Sequence, residues 1–217
     1  MIRISQPILY EIHSMLRQLI ATTGNHVKLL ILCATCMGSL SANADWRLVN
    51  TDSQLSFVSI KAAHIAERHT FTTLRGDVKE DGTARLSVDL ASVNTGIEIR
   101  DQRMRDLLFT VTNFPSADFT TALDLGSVDA LAVGAQTNLL VQGKLRVREM
   151  SIDVETHVSA VKLADNRLMV ATKQPLLLNA SALGLADGIE QLRAIANLPS
   201  ISLAVPVTFQ LLFEKTP

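Results

Sequence analysis

Residues 202–213 read Ser-Leu-Ala-Val-Pro-Val-Thr-Phe-Gln-Leu-Leu-Phe, with apolar side chains at every second position. One face would carry Leu203, Val205, Val207, Phe209, Leu211 and Phe213, and the other Ser202, Ala204, Thr208 and Gln210. Successive side chains of a strand point to opposite sides, whereas a helix would scatter these apolar residues around its circumference. The stretch therefore predicts a β-strand with one dry and one wet face. Pro206 has no backbone N–H, so we expect it at an edge, a bulge or the strand margin.

Similar alternation recurs along the chain at residues 85–90, 117–125, 139–147 and 152–158. Turn sequences separate alternating runs at Glu80–Gly82, Arg148–Met150 and Ala164–Asn166, which predicts antiparallel hairpins. Gly76 and Gly143 lie inside such runs, where a glycine indicates a bend or a close approach of strands. One-sided strands joined in this way form either a sandwich or a barrel. Closure removes both sheet edges, so the sequence favours an all-β antiparallel barrel of about eight strands.

Two short helices are expected to interrupt the sheet. Asp187 and Glu190 are spaced as a capping box, with Asp187 as the N-cap. The apolar stripe that follows contains Ile189, Leu192, Ile195 and Ala196, and Pro199 ends it. The second helix covers Asp101–Phe109 and is predicted to lie across a barrel mouth. Its arginines Arg100, Arg103 and Arg105 are expected to face outward.

Residues 1–44 have the features of a secretory signal peptide. The apolar block Val27–Leu40 has Lys28 at its start, follows Arg17 and precedes a cleavage site at Ala42-x-Ala44. The block is shorter than the roughly 20 apolar residues of a membrane span. Met15 would give a leader of ordinary length and is an alternative start, in which case residues 1–14 are not translated. The sequence thus predicts a periplasmic or secreted protein.

The predicted mature chain, residues 45–217, has a size that suits one domain. Both cysteines, Cys33 and Cys36, lie in the leader, which excludes disulfides and thiolate chemistry from the domain. Without the leader, 17 basic and 20 acidic residues remain, a net charge of −3 that disfavours nucleic-acid binding.

No catalytic residue, cofactor site or metal site is expected from the motifs. The chain has no Gly-x-Ser-x-Gly elbow and no glycine-rich phosphate loop. His64 and His69 are five residues apart, on opposite strand faces, so a zinc site is disfavoured. Glu67 and Arg68 between them are predicted at an exposed hairpin tip. An alternative from the enzyme class is a hydrolase or isomerase that uses His157 or the Arg100–Arg105 loop beside a cavity.

Four segments together resemble the YceI-like family. They are Trp46-Arg-Leu-Val49 near the mature start, Phe71-Thr-Thr-Leu-Arg-Gly76, the stretch 94–119 with its Arg100-Asp101 pair and Phe114-Pro-x-x-x-Phe119, and Val141-Gln-Gly-Lys-Leu-Arg-Val147. The resemblance implies a lipocalin-like barrel that binds a polyisoprenoid, a quinone-like lipid or a fatty amide or acid. It also implies a membrane redox protein of the cytochrome b561 type as an alternative partner. The oligomeric state stays open, with a homodimer as one alternative.

The interior decides the function. Inward residues are mostly Val, Leu, Ala and Thr, which favours an apolar tunnel over the alternative of a solid core. The predicted ligand-binding residues are Phe57, Phe71, Leu86, Val88, Phe119, Leu145, Val154, Val205, Val207 and Phe209, with Arg100 and Arg105 at the mouth. The arginines suit an anionic head group. The alternative is a solvated helix face paired with Asp101 and Asp106. Trp46 is predicted to plug one end rather than to stack on a ligand.

Overall fold

The structure is a computed structural model and describes residues 46–216. The predicted signal peptide, residues 1–44, lies outside this range. The strands are β1 (Trp46–Leu48), β2 (Gln54–Lys61), β3 (Ile65–Phe71), β4 (Leu74–Val78), β5 (Thr83–Asp89), β6 (Val93–Asn94), β7 (Ser116–Ala122), β8 (Gln136–Val147), β9 (Met150–Ala164), β10 (Arg167–Thr172), β11 (Leu176–Asn179) and β12 (Ala204–Lys215). The α-helices are α1 (Glu98–Arg103), which continues as a π-helical segment (Met104–Phe109), α2 (Gly126–Asp129) and α3 (Ala186–Ile195), and two 3-10 helices cover Asn50–Asp52 and Leu90–Ser92.

These strands form one closed antiparallel barrel. Short interruptions divide four of its eight strands, so that β1 with β2, β3 with β4, β5 with β6, and β10 with β11 each follow one course. Each strand pairs with the next along the chain, and β12 closes the ring by pairing with both β1 and β2. The predicted barrel of about eight strands is therefore confirmed, as a simple up-and-down meander.

The predicted hairpins are also confirmed. Lys79–Thr83 closes β4 on β5, Arg148 and Glu149 connect β8 to β9, and the Ala164–Arg167 turn connects β9 to β10. Gly143 lies where the predicted close approach occurs, because a Cβ there would be 2.4 Å from the Thr120 carbonyl oxygen and 2.6 Å from Phe119 Cζ. Pro206 pairs with Leu177 of β11, one residue before the pairing of β12 with β2 begins at Val207.

Both predicted helices are present, and they cover the same end of the barrel. α3 packs on the π-helical segment so closely that a Cβ on Gly188 would be 2.8 Å from Leu108 Cα. The predicted capping box is wrong. Leu185 occupies the N-cap with no side-chain hydrogen bond, while Glu190 binds Arg193 at 2.7 Å.

The predicted hairpin tip at Glu67 and Arg68 is wrong as well. The β2–β3 turn lies at Ala62–His64, where Ala62 and Ala63 have φ of 48° and 63°. Glu67 is therefore a residue of β3, in register with Ser59 of β2. Among residues 46–216, no helix has both the length and the hydropathy needed to cross a bilayer.

Candidate functional site

The barrel encloses an apolar cavity of about 610 Å³. All ten apolar residues predicted to bind a ligand line it, namely Phe57, Phe71, Leu86, Val88, Phe119, Leu145, Val154, Val205, Val207 and Phe209. Every second residue of a barrel strand points inward, so the alternation in the sequence identifies these positions. Whether each one contacts a ligand stays a prediction.

The cavity exists because many inward side chains are small. Ala84, Ala117, Ala160 and Val158 are all buried and line it. Phe71 contacts two other aromatic rings, and the ring centroids are 5.3 Å apart for Phe57 and Phe71 and 5.8 Å apart for Phe71 and Phe109. Aromatic rings thus fill part of the interior, while small side chains elsewhere in the lining leave space.

One end of the cavity is closed by Trp46. Its side chain is 6% exposed, and the ammonium of Lys215 lies 5.6 Å from the ring centroid. Val128 of α2 is also buried there and lines the cavity. The structure thus places Trp46 as the predicted plug, and the ring forms part of the cavity floor.

The opposite end is the opening. Ile97 and Ile99 line the cavity and are nevertheless 49% and 58% exposed. Lys61 at the end of β2 and the segment from Ala196 to Ser202 also line this part. The opening therefore lies between the start of α1, the β2–β3 hairpin and the segment that precedes β12.

A polar ladder leads from the opening into the interior on β2 and β3. Glu67 lines the cavity and accepts hydrogen bonds from Lys61 Nζ at 2.9 Å and from Arg100 Nη1 at 2.8 Å. The hydrogen bond from Lys61 is the main cause that lowers the pKa of Glu67, and the charge of Arg100 adds to it. The carboxylate stays ionised and neutralises part of the positive charge at the opening.

Arg100 is held inward. Besides Glu67 it donates to Thr95 Oγ1 and to the Thr95 carbonyl oxygen, both at 2.8 Å. Asp101 is 5% exposed and accepts from the Thr95 backbone N–H at 2.9 Å and from the Thr95 hydroxyl. The Arg-Asp pair thus fixes the loop that enters α1, and the predicted outward direction of Arg100 is wrong.

The two other arginines of this region differ from each other. Arg105 binds Glu98 and Gln102 and is not among the residues that line the cavity. Arg103 lines it and has no hydrogen-bond or ion-pair partner within the described chain. Of the three, Arg103 is therefore the guanidinium that is free to meet an incoming group.

Sequence reasoning missed a buried pair, Ser59 and His69. His69 is 3% exposed, its Nε2 lies 2.9 Å from Ser59 Oγ, and its Nδ1 is buried without a hydrogen-bond partner. Burial is the main cause that lowers the pKa of His69, and the positive charge of Arg100 lowers it further, so the ring is neutral at neutral pH. His69 and Phe71 are two residues apart in one strand and therefore face the same side. This spacing is the signal in the sequence that could have placed His69 in the interior.

The other two histidines of residues 46–216 lie away from the interior. His157 is exposed on β9 between the inward residues Thr156 and Val158, and His64 is exposed in the β2–β3 turn. Within residues 46–216, no three His, Cys, Asp or Glu side chains are grouped closely enough to hold a metal. His157 therefore does not lie beside the cavity, where the enzyme alternative would require it.

A closed antiparallel barrel around an apolar cavity with one polar opening defines a lipocalin-like binding barrel. The YceI-like domain model matches residues 46–213, which is most of the chain. The protein belongs to the YceI-like family, and the resemblance seen in its sequence motifs is confirmed.

Solved structures give the same fold. A polyisoprenoid-binding domain from Saccharophagus degradans, implicated in plant cell wall breakdown, is 40% identical, with a TM-score of 0.77 over 79% of this chain and 98% of that one. BcnA from Burkholderia cenocepacia is 20% identical, with a TM-score of 0.59 over 76% and 98% of the two chains. A YCEI protein from Campylobacter jejuni is 13% identical, with a TM-score of 0.51 over 69% and 84%. No curated protein matches the chain.

Proposed function

We propose that this protein binds a long-chain apolar lipid, most specifically a polyisoprenoid, inside its barrel and sequesters or carries it without turnover. The observation that carries this proposal is the cavity of about 610 Å³, whose lining is almost entirely apolar. The polyisoprenoid-binding domain that is 40% identical supports the isoprenoid class.

The energetics suit a hydrocarbon ligand. A chain carbon occupies about as much space as a water molecule, about 30 Å³, so the cavity holds roughly 20 carbons. Each buried CH₂ contributes about 0.8 kcal/mol, and association costs on the order of 4–15 kcal/mol. A chain of about 20 buried carbons would contribute about 16 kcal/mol, which leaves about 12 kcal/mol at the lower association cost, more than the roughly 8 kcal/mol that micromolar binding needs.

The polar opening supports a ligand with an oxygen-bearing head group. Lys61, Arg100 and Arg103 line this end, and Glu67 compensates only part of their charge. A phosphate or carboxylate would find a free guanidinium at Arg103, whereas the predicted contribution of Arg105 has no support from its position outside the lining.

Export and partnership complete the proposal. The leader sequence at residues 1–44 supports a periplasmic or secreted location. A partnership with a membrane redox protein depends on the ligand being a quinone, because only a quinone would link the cavity to electron transfer. The identity of the bound lipid therefore tests both ideas together.

Native mass spectrometry tests the binding proposal. Protein purified from the periplasm of an exporting host should show an added mass that disappears after organic extraction, and the extract should contain an isoprenoid. Val154→Phe, which places a larger side chain in the cavity wall, should reduce the lipid-bound fraction. A wild-type protein that carries no lipid, and that also fails to take up an added prenol, would overturn the proposal.

A further inference from the structure

Five large aliphatic side chains are exposed around the opening, and we refer to them as the mouth rim: Ile65, Ile97, Ile99, Ile195 and Leu203. Their exposed fractions range from 39% for Leu203 to 58% for Ile99. Exposed aliphatic residues are ordinary when they are scattered, and they indicate an interaction site when they are collected in one place.

Strand register and connectivity place these residues together. Ile65 is directly opposite Lys61, a residue of the cavity lining, so the two side chains share one face of the hairpin. Lys61 also bridges to Ile201, two residues before Leu203. Ile195 ends α3 next to Ala196, which lines the cavity, as Ile97 and Ile99 do. The mouth rim therefore continues the apolar lining outward.

The charges at this end are mostly basic where they face the opening. Lys61, Arg100 and Arg103 line it, against one acidic lining residue, Glu67. Glu98 lies between two rim isoleucines but is paired with Arg105, and Glu190 is paired with Arg193. Asp101 is buried beneath Thr95. Arg103 remains as an uncompensated positive charge beside the rim.

We propose that the mouth rim docks on a phospholipid bilayer surface that carries anionic head groups, and that the ligand passes between cavity and bilayer through this contact. The inference rests on the proposed lipid-binding function. A ligand too apolar to cross water needs an apolar path, and the rim joins the cavity lining to the acyl region. Interfacial binding scales with buried apolar area and with the attraction of basic residues to anionic lipid.

A matched pair of double variants tests the inference. Ile65→Ser with Leu203→Ser removes two rim residues that do not line the cavity. Leu140→Ser with Leu163→Ser removes two residues of similar exposure, 50% and 44%, on β8 and β9 away from the opening. Flotation with vesicles of phosphatidylcholine and phosphatidylglycerol at 7:3 (about 30% anionic lipid) measures docking, and transfer of a fluorescent prenol from vesicle to protein measures passage. Affinity for the prenol in vesicle-free buffer is measured separately.

The wild-type protein and the Leu140/Leu163 variant should float with the vesicles, and the Ile65/Leu203 variant should lose about ten-fold in vesicle partition and transfer rate with its prenol affinity unchanged. Pure phosphatidylcholine vesicles should bind less protein. Equal losses in both double variants, or a wild-type protein that binds prenol but no vesicle, would overturn docking while the cavity function stands. Loss of a dimer in the rim variant, without vesicle binding by the wild type, would assign the rim to a second copy of the chain instead. If no form binds prenol, the proposed function itself fails.

Discussion

At the residue scale, His69 is the least expected feature of the interior. A neutral imidazole lies in an apolar barrel, beside the ring of Phe57 at a centroid distance of 5.2 Å, with one nitrogen unsatisfied. Burying such a polar atom costs free energy unless a partner reaches it. The ring therefore makes the folded state sensitive to acid, because protonation would place a charge where solvation is poor.

His69 should set part of the pH dependence of stability. Burial and Arg100 lower its pKa in the folded state below the ordinary value of 6.5, so on acidification the unfolded chain takes up this proton first. The stabilisation is present above pH 6.5 and is lost as the pH falls toward the folded pKa. The slope from one proton is at most about 1.4 kcal/mol per pH unit.

Urea unfolding between pH 7.5 and 5 measures this slope. His69→Gln should flatten it, and the matched control His157→Gln, at an exposed position on the outer face, should keep the wild-type slope. Identical slopes for the wild type and His69→Gln would show that His69 does not contribute.

Gly143 tests the close approach of two strands. A Cβ at this position would meet the Thr120 carbonyl oxygen and the Phe119 ring at distances that require displacement of backbone. Gly143→Ala should lower the free energy of unfolding by about 1–3 kcal/mol, as overpacking does. Gly126→Ala is the control, since its Cβ would come no closer than 3.3 Å to a flexible carboxylate. Fluorescence of the single tryptophan reports unfolding, and equal stability of both variants would contradict the prediction.

At the element scale, the β2–β3 hairpin carries a gradient from apolar to polar. Moving toward the opening, the pairs on this face are Leu55 with Phe71, Phe57 with His69, Ser59 with Glu67, and Lys61 with Ile65, and all of these residues except Ile65 line the cavity. Adjacent pairs are about 7 Å apart along a strand, so the hairpin spans the path from cavity to rim. A ligand aligned with it would keep its chain inside and its head group near Glu67.

Glu67→Gln should change the preference for charged ligands. The substitution removes the carboxylate that compensates Lys61 and Arg100, so affinity for palmitate should rise about three- to ten-fold relative to hexadecanol, an electrostatic effect of about 1 kcal/mol. Displacement of a fluorescent probe measures the ratio. Glu98→Gln is the control, because its partner Arg105 is not in the lining. The same change in both variants would point to general surface charge.

The elements differ in how far their sequence determined them. β12 was predictable because its apolar alternation is nearly unbroken, whereas β3 reads Ile-Ala-Glu-Arg-His-Thr-Phe and only Phe71 marks its inward face. Glu67 therefore looked like a turn residue. The capping box at Asp187 failed for a different reason. Gly188 packs directly against Leu108, and this tertiary contact accompanies a helix that begins at Ala186, one residue before the predicted N-cap Asp187.

At the scale of the whole molecule, the cavity results from the sizes of many inward side chains on different strands. Inward parity was readable strand by strand, so the predicted apolar residues were found in the lining. The volume of the cavity and the position of its opening could not be read from the sequence, because they depend on how α1, α3 and the barrel wall pack together. Arg105 shows the limit of prediction from sequence, because the adjacent residue Met104 lines the cavity whereas Arg105 does not.

Ligand affinity should depend on chain length and then saturate. For a series of prenols, affinity should rise by about 0.8 kcal/mol per buried CH₂ up to roughly 20 carbons, where a cavity of about 610 Å³ is full. Calorimetry or competition measures the break point, and Val154→Phe should move it to shorter chains. A rise that continues unchanged to 40 carbons would mean that the cavity does not limit the ligand.

The pairing of β12 with β1 and β2 also bears on when the binding site comes into existence. In the sequence, β1 and β2 stand at the start of the described chain and β12 stands at its end. Their pairing therefore joins residues of very long sequence separation, and such contacts slow folding. A nascent polypeptide whose residues 204–215 are still inside the ribosome lacks the eighth barrel strand. Its incomplete sheet therefore has two unpaired edges. The closed barrel can therefore form only after residues 204–215 have left the ribosome.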